Sequence, residues 1–191
     1  MTWAPDYVTR ALLKSYLRIE DDADDVFIDL WITTVSRNVD DFCGRQFGKV
    51  ASLEARTYTP VWDRHIAAYV SVVDDLQDVT GLTIVDEDGT AVTDYDLDPV
   101  NAVLKGHPYE RILTTTSTRK LVPTALWGWS AQPSAVSTGM LLQGARLAAR
   151  RDSPFGISGS PSEQGEIRLL AQLDPDFKTS LKPLIRHWWA A

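Results

Sequence analysis

The 191 residues are 44% hydrophobic and 24% charged, the composition of a folded domain rather than of a disordered segment. Cys43 is the sole cysteine, which excludes an intrachain disulfide and any CxxC metal or redox motif. The net charge of −7 hides a division: residues 1–100 carry 20 acids and 8 bases, residues 101–191 carry 6 acids and 11 bases, so the halves stand at −12 and +5.

Such a split is clustering on solvated surfaces, a nucleic-acid face, or an acidic region that meets the basic region of something else, including the chain's own neighbour. No run approaches the roughly 18 apolar residues of a membrane span, and MTWAPDYVTR lacks the apolar core of a signal peptide. A soluble protein made in the cytoplasm is the expectation.

Thr9 is placed to cap a short helix over Arg10 to Leu17, in which Leu12, Leu13, Tyr16 and Leu17 fall at helical spacing. The acidic run EDDADD, Glu20 to Asp25, supplies caps and first-turn carboxylates for a second helix over Asp24 to Phe42. Its apolar stripe is Ile28, Trp31, Ile32, Val35, Val39 and Phe42, with Arg37, Asn38, Asp40 and Asp41 off the stripe and Gly44 as the stop.

Between about Ser52 and Leu126 the period changes. RTYTPVW, IAAYVSVV, GLTIV and TAVTDY are short and rich in β-branched and aromatic residues, which predicts four to six short strands. Asp86 to Gly89 reads as a hairpin turn, since Asp-Gly tolerates positive φ. Helical spacing returns from Pro133 to about Arg151, with Val136, Met140, Leu141, Leu147 and Ala148 apolar. Gly139, Gly144, Ala145 and Ala149 on that segment are small enough to let a partner helix approach closely. Asp174 and Pro175 start a last helix carrying Phe177, Leu181, Leu184 and Ile185, and the chain finishes in HWWAA.

The fold expected from these elements is α+β and mainly α, a single domain over 1–191. It comprises a helical pair in 1–50, an inserted β-rich region over 51–126, and C-terminal helices over 127–191 with a Gly/Pro/Ser loop at 152–166. Neither helical pair buries its stripe alone, so the two pairs are expected to form a four-helix core.

Chemical motifs are absent at the spacings they require. His65, His107 and His187 sit in separate segments without HExxH spacing, so no metal set is expected. Asp94, Asp96 and Asp98 alternate like the start of a calcium loop. Pro99 stands where that loop needs glycine and Lys105 where it needs glutamate, so a strand edge with its polar side out is the better reading. GISG at Gly156 to Gly159 lacks the Gly-Lys-Ser/Thr of a phosphate loop, and Ser160 replaces the second glycine of a nucleophile elbow. Arg146, Arg150 and Arg151 could hold phosphate or nucleic acid, or could pair with Asp152, Glu163 and Glu166. No catalytic residue, metal site or cofactor is expected, and the chain is read as not an enzyme.

Two stretches carry a family likeness. They are YVTRALLKSYLRIEDDADD with LWITTVSRNVDDFCGRQF, and LWGWSAQPSAVSTGMLLQGARLAARRDSPFGISGSPSEQGEIRLLAQLDPDF. The second contributes Trp127, Gly128, Trp129, Pro133, Val136, Arg146, Arg150, Arg151, Asp152, Ser153, Pro154, Phe155, Gly156 and Asp174. With these the chain resembles the head-to-tail connector (adaptor) proteins of long-tailed bacteriophages, over about half its length. The resemblance implies a structural virion protein of the neck, assembled in the host cytoplasm. It would form a homo-oligomeric ring, a dodecamer in relatives, between the portal protein and a tail-side neck protein, with genomic DNA passing transiently through the lumen. Neither a membrane nor a small-molecule substrate is implied.

A ring of one subunit uses heterologous contacts, in which one patch meets a different patch of the neighbour. The acidic N-terminal half and the basic C-terminal half, with Arg146, Arg150 and Arg151, are candidates for that contact. Phe155 and Ile157 sit on a loop that breaks the helix, so they either fold back on the bundle or meet a neighbouring subunit. Trp188 and Trp189 either cap the subunit's own helices or anchor it to the portal. A soluble phage nucleic-acid-binding protein using the C-terminal arginines is the alternative function.

Overall fold

A computed structural model describes residues 4–152, 157–158, 167–168 and 173–186. They form two compact units. One consists of Ala4–Arg45 with the described part of Gln132–His187, and the other of Gln46–Ala131.

In the first unit, helix α1 (Arg10–Leu17) begins where the Thr9 hydroxyl accepts the Leu12 amide at 3.2 Å, and ends at Arg18 with φ 58°. Of its apolar residues Leu13 is buried, whereas Leu12 and Tyr16 are exposed. Helix α2 (Asp25–Cys43) ends at the left-handed Gly44. Ile28, Ile32, Val35 and Val39 are buried and Cys43 extends the stripe, while Trp31 and Phe42 are half-buried.

Asp40, expected off the stripe, is buried as well. The chain ahead of α1 covers it: the Tyr7 hydroxyl donates to Asp40, and the Tyr7 amide donates to Ser36 Oγ at 3.2 Å. Arg37 fastens the same segment by donating to the carbonyls of Ala4 and Pro5 at 3.0 and 2.7 Å. Spacing within α2 cannot reveal a cover that comes from outside it.

The second helical segment is α3 (Ser134–Asp152), followed by α4 (Pro175–Leu181) and a 3-10 turn over Lys182–Leu184. Helix α3 packs against α1, α2 and α4. Its small residues account for the closeness: a Cβ on Gly144 would lie 2.9 Å from a methyl of Leu13. Asp174 caps α4, accepting the amides of Asp176 and Phe177 at 2.8 and 3.2 Å.

The second unit holds strands β1 (Glu54–Ala55), β2 (Val61–Asp63), β3 (Ala68–Leu76), β4 (Thr83–Val85), β5 (Tyr95–Asp98), β6 (Tyr109–Thr114) and β7 (Val122–Ala125). They make two antiparallel sheets, ordered β2-β3-β6-β5 and β1-β7-β4. Val73, Leu76, Ile84, Ile112, Leu121 and Trp127 belong to one buried cluster fed by both sheets. A further antiparallel pair, β8 (Ile157–Ser158) with β9 (Ile167–Arg168), lies beyond α3 in the chain.

This overturns the expectation of a mainly α chain. Among the described residues, seven strands in two sheets, with β8 and β9 as a further pair, stand beside four helices, so the protein is β-rich. A 19-residue helix repeats its apolar spacing over five turns, whereas most of these strands have two to four residues, too few for a period-2 pattern to register.

Gly128 fixes the exit from this unit. It has φ 112°, and a Cβ there would lie 2.1 Å from the carbonyl oxygen of Gly48, so no other residue fits. On either side of it Trp127 is fully buried and donates to the Glu54 carbonyl at 2.7 Å, while Trp129 donates to Asp75 Oδ2 at 2.9 Å. The Trp-Gly-Trp element is therefore a packing device of this unit.

Candidate interaction surface

The three candidate arginines leave α3 one after another, and two of them find carboxylates within the chain. Arg146 pairs with Asp174, and the Asp174 amide also donates to Gln143 Oε1 at 3.0 Å, so α3 holds the cap of α4 at two points. Partial burial opposes ionisation of Asp174, but the Phe177 and Asp176 amides and Arg146 outweigh it and hold the carboxyl below its ordinary value. Arg151 pairs with Asp24 and lies 4.8 Å from the ring centroid of Phe27. Arg150 is half-buried and forms no ion pair among the described residues.

Part of the charge division is thus answered inside one copy, where a base of the C-terminal half meets an acid of the N-terminal half. Within the helical unit, residues 4–45 carry nine acids and five bases and residues 132–187 carry five acids and seven bases.

Phe155, Trp188 and Trp189 lie outside the described residues. Ile157 lies in β8, opposite Arg168 of β9.

Of the three alternating carboxylates, Asp96 and Asp98 sit on an edge strand, β5, and Asp94 immediately precedes it. Asp94 accepts hydrogen bonds from the hydroxyls of Thr114, Thr115 and Thr116, and those of Thr115 and Thr116 hold its carboxyl well below the usual range. Asp98 is taken by Arg111, whose Nε donates at 2.9 Å. A depression of about 480 Å³ beside Asp94, Tyr95 and Ile66 therefore presents a carboxylate already committed to its own loop. A second, of about 690 Å³ beside Arg10, Lys14 and Asp25, is crossed by the Arg10–Asp25 and Lys14–Asp25 ion pairs. Among the described residues no group of three His, Cys, Asp or Glu side chains could hold a metal ion, and no helix is long and apolar enough to cross a membrane.

Apolar surface is what remains unanswered. On the first turns of α2, Val26 is 78% exposed and Leu30, one turn on, 60%, with Phe27 between them. On the loop joining β5 to β6, Val100 is 70% and Leu104 84% exposed. Neither patch was anticipated. The α2 patch was legible as apolar residues at i and i+4 off the core stripe, whereas PVNAVLKGHP has no period to signal which of its apolar side chains face out.

Comparison with protein families finds no matching model, and comparison with curated proteins finds no match.

Proposed function

We propose that this chain is a head-to-tail adaptor, a structural virion protein that forms an oligomeric ring between the portal and the tail, with DNA passing through its lumen. The observation that carries this reading is the pairing of two exposed apolar patches, on α2 and on the β5–β6 loop, with motif residues engaged in packing rather than chemistry. Apolar side chains gathered on well-tied elements mark surfaces to be covered by another macromolecule.

Trp127, Gly128, Trp129 and Val136, which carry the resemblance, are structural in role, as befits a family whose motifs serve shape and contact. A ring closes through two different patches on each copy, a role that the α2 patch and the β5–β6 loop patch can fill. Its net charge of −7 suits a passage along which a polyanion slides without being held. The nucleic-acid-binding alternative gains nothing from Arg146 and Arg151, which already meet carboxylates.

The test is co-sedimentation of the purified protein with portal rings encoded by the same genome. Comigration at a fixed stoichiometry is expected. Portal rings that sediment without it, at concentrations up to the millimolar range, would refute the reading.

A further inference from the structure

The loop between β5 and β6, residues 99–108, is tied to itself. The Ala102 amide donates to Pro99 O at 3.0 Å, Lys105 to Ala102 O at 2.9 Å, Gly106 to Val103 O at 3.0 Å, and His107 to Ala102 O at 3.0 Å. Asn101 and Gly106 adopt left-handed φ of 63° and 72°, and Ala102 is 1% exposed. This frame presents Val100, Val103 and Leu104 outward. Because the backbone is already ordered, covering these side chains costs little further conformational entropy.

Charge narrows what covers them. From Pro99 to Tyr109 there is no carboxylate and one permanent cation, Lys105, in a unit whose residues 46–131 hold 12 acids and 7 bases. The exposed apolar patch on α2, Val26, Phe27 and Leu30, lies on a segment with six acids between Glu20 and Asp29. Arg10, Lys14 and Arg151 answer Asp22, Asp24, Asp25 and Asp29, while Glu20 and Asp21 are exposed and form no ion pair among the described residues.

We propose that the 99–108 loop of one copy seats on the Val26, Phe27 and Leu30 ridge of α2 in the adjacent copy, with Lys105 toward Glu20 and Asp21. This rests on the ring reading and supplies it with a donor patch and an acceptor patch. Each copy bears one of each, which is the requirement of a closed heterologous contact.

The experiment uses the full chain carrying both Leu30→Cys and Leu104→Cys. The native Cys43 is fully buried, with its thiol pushed up to about 12, so it does not compete for the new thiols. Mild oxidation is expected to give a ladder of linked copies extending beyond the dimer on a non-reducing gel, with either single variant stopping at the dimer. Independently, Leu104→Asp should leave the circular dichroism unchanged while weakening self-association on the order of tenfold or more, as expected for losing a buried leucine. Rings seen by electron microscopy without a ladder, and with association unchanged by Leu104→Asp, overturn this contact and leave the ring standing. A fast-migrating, internally linked monomer overturns it in favour of contact within one chain. Failure to form rings, alone or on the portal, removes the underlying reading as well.

Discussion

Gly139 on α3 stands directly against the ring of Phe177 on α4: a Cβ at position 139 would lie 1.8 Å from both Cδ2 and Cε2 of that ring. Phe177 is 1% exposed, so the ring cannot swing into solvent to make room. Gly139→Ala should therefore destabilise the protein by about 1–3 kcal/mol despite the better helix propensity of alanine. A urea denaturation midpoint equal to or above that of the parent would show that α4 does not dock here.

Cys43 reports on the same unit from the other side. It is fully buried at the end of α2, and burial pushes its thiol up to about 12, with Arg45 pulling the other way. The thiolate is the reactive species, so the folded protein should react with a disulfide reagent at pH 8 far more slowly than the protein in denaturant. Equal rates would mean that the end of α2 is open.

Asp40 sets one pH dependence. Its burial beneath Tyr7 pushes the carboxyl above its ordinary value, although the Tyr7 hydroxyl and Arg37 pull it down. The folded state then binds this proton more tightly than the unfolded state. Its stabilising contribution is complete below the ordinary aspartate value of about 3.9 and is lost as pH rises through the native value. Asp40→Asn should accordingly gain on the parent as pH rises, with its melting temperature relative to the parent higher at pH 8 than at pH 4. A difference that shrinks with rising pH would contradict the assignment.

Asp94 works with the opposite sign. The Thr115 and Thr116 hydroxyls depress its carboxyl, so its contribution is present above about pH 3.9 and disappears as pH falls. Asp94→Ala should lower the denaturation midpoint at pH 7, and the gap should narrow toward pH 2. A gap independent of pH would remove the charge from the explanation.

The helices were legible because each carries its own signals. Thr9, Gly44 and Asp174 stand at their ends, and four residues of the α2 stripe repeat at helical spacing into the core. Strands β1 and β4 have two or three residues and owe their existence to β7, distant in sequence, so composition signalled a β-rich stretch without its register. The Asp86 turn was visible because Asp-Gly tolerates the positive φ that Gly89 adopts, 82°, and the Asp86 carboxylate secures it, Oδ1 accepting the Asp88 and Thr90 amides at 2.9 and 2.8 Å. The strand expected straight after it was not formed: Ala91 makes a single bridge to Val85, and the chain then crosses to pair as β5 with β6.

For the candidate surface, residue type pointed to Arg146 and Arg151. Their partners, Asp174 and Asp24, lie 28 and 127 positions away, a juxtaposition only tertiary packing creates. The exposed side chain of Leu104 was illegible for a related reason, since on a loop without a period an apolar residue that faces water looks in sequence like one that does not.

Electron microscopy of the purified chain, alone and mixed with its portal, bears most directly on whether these apolar patches exist to be covered by other copies. Closed rings with a central channel, alone or stacked on the portal, are the result expected. Particles that stay monomeric in both samples would contradict it.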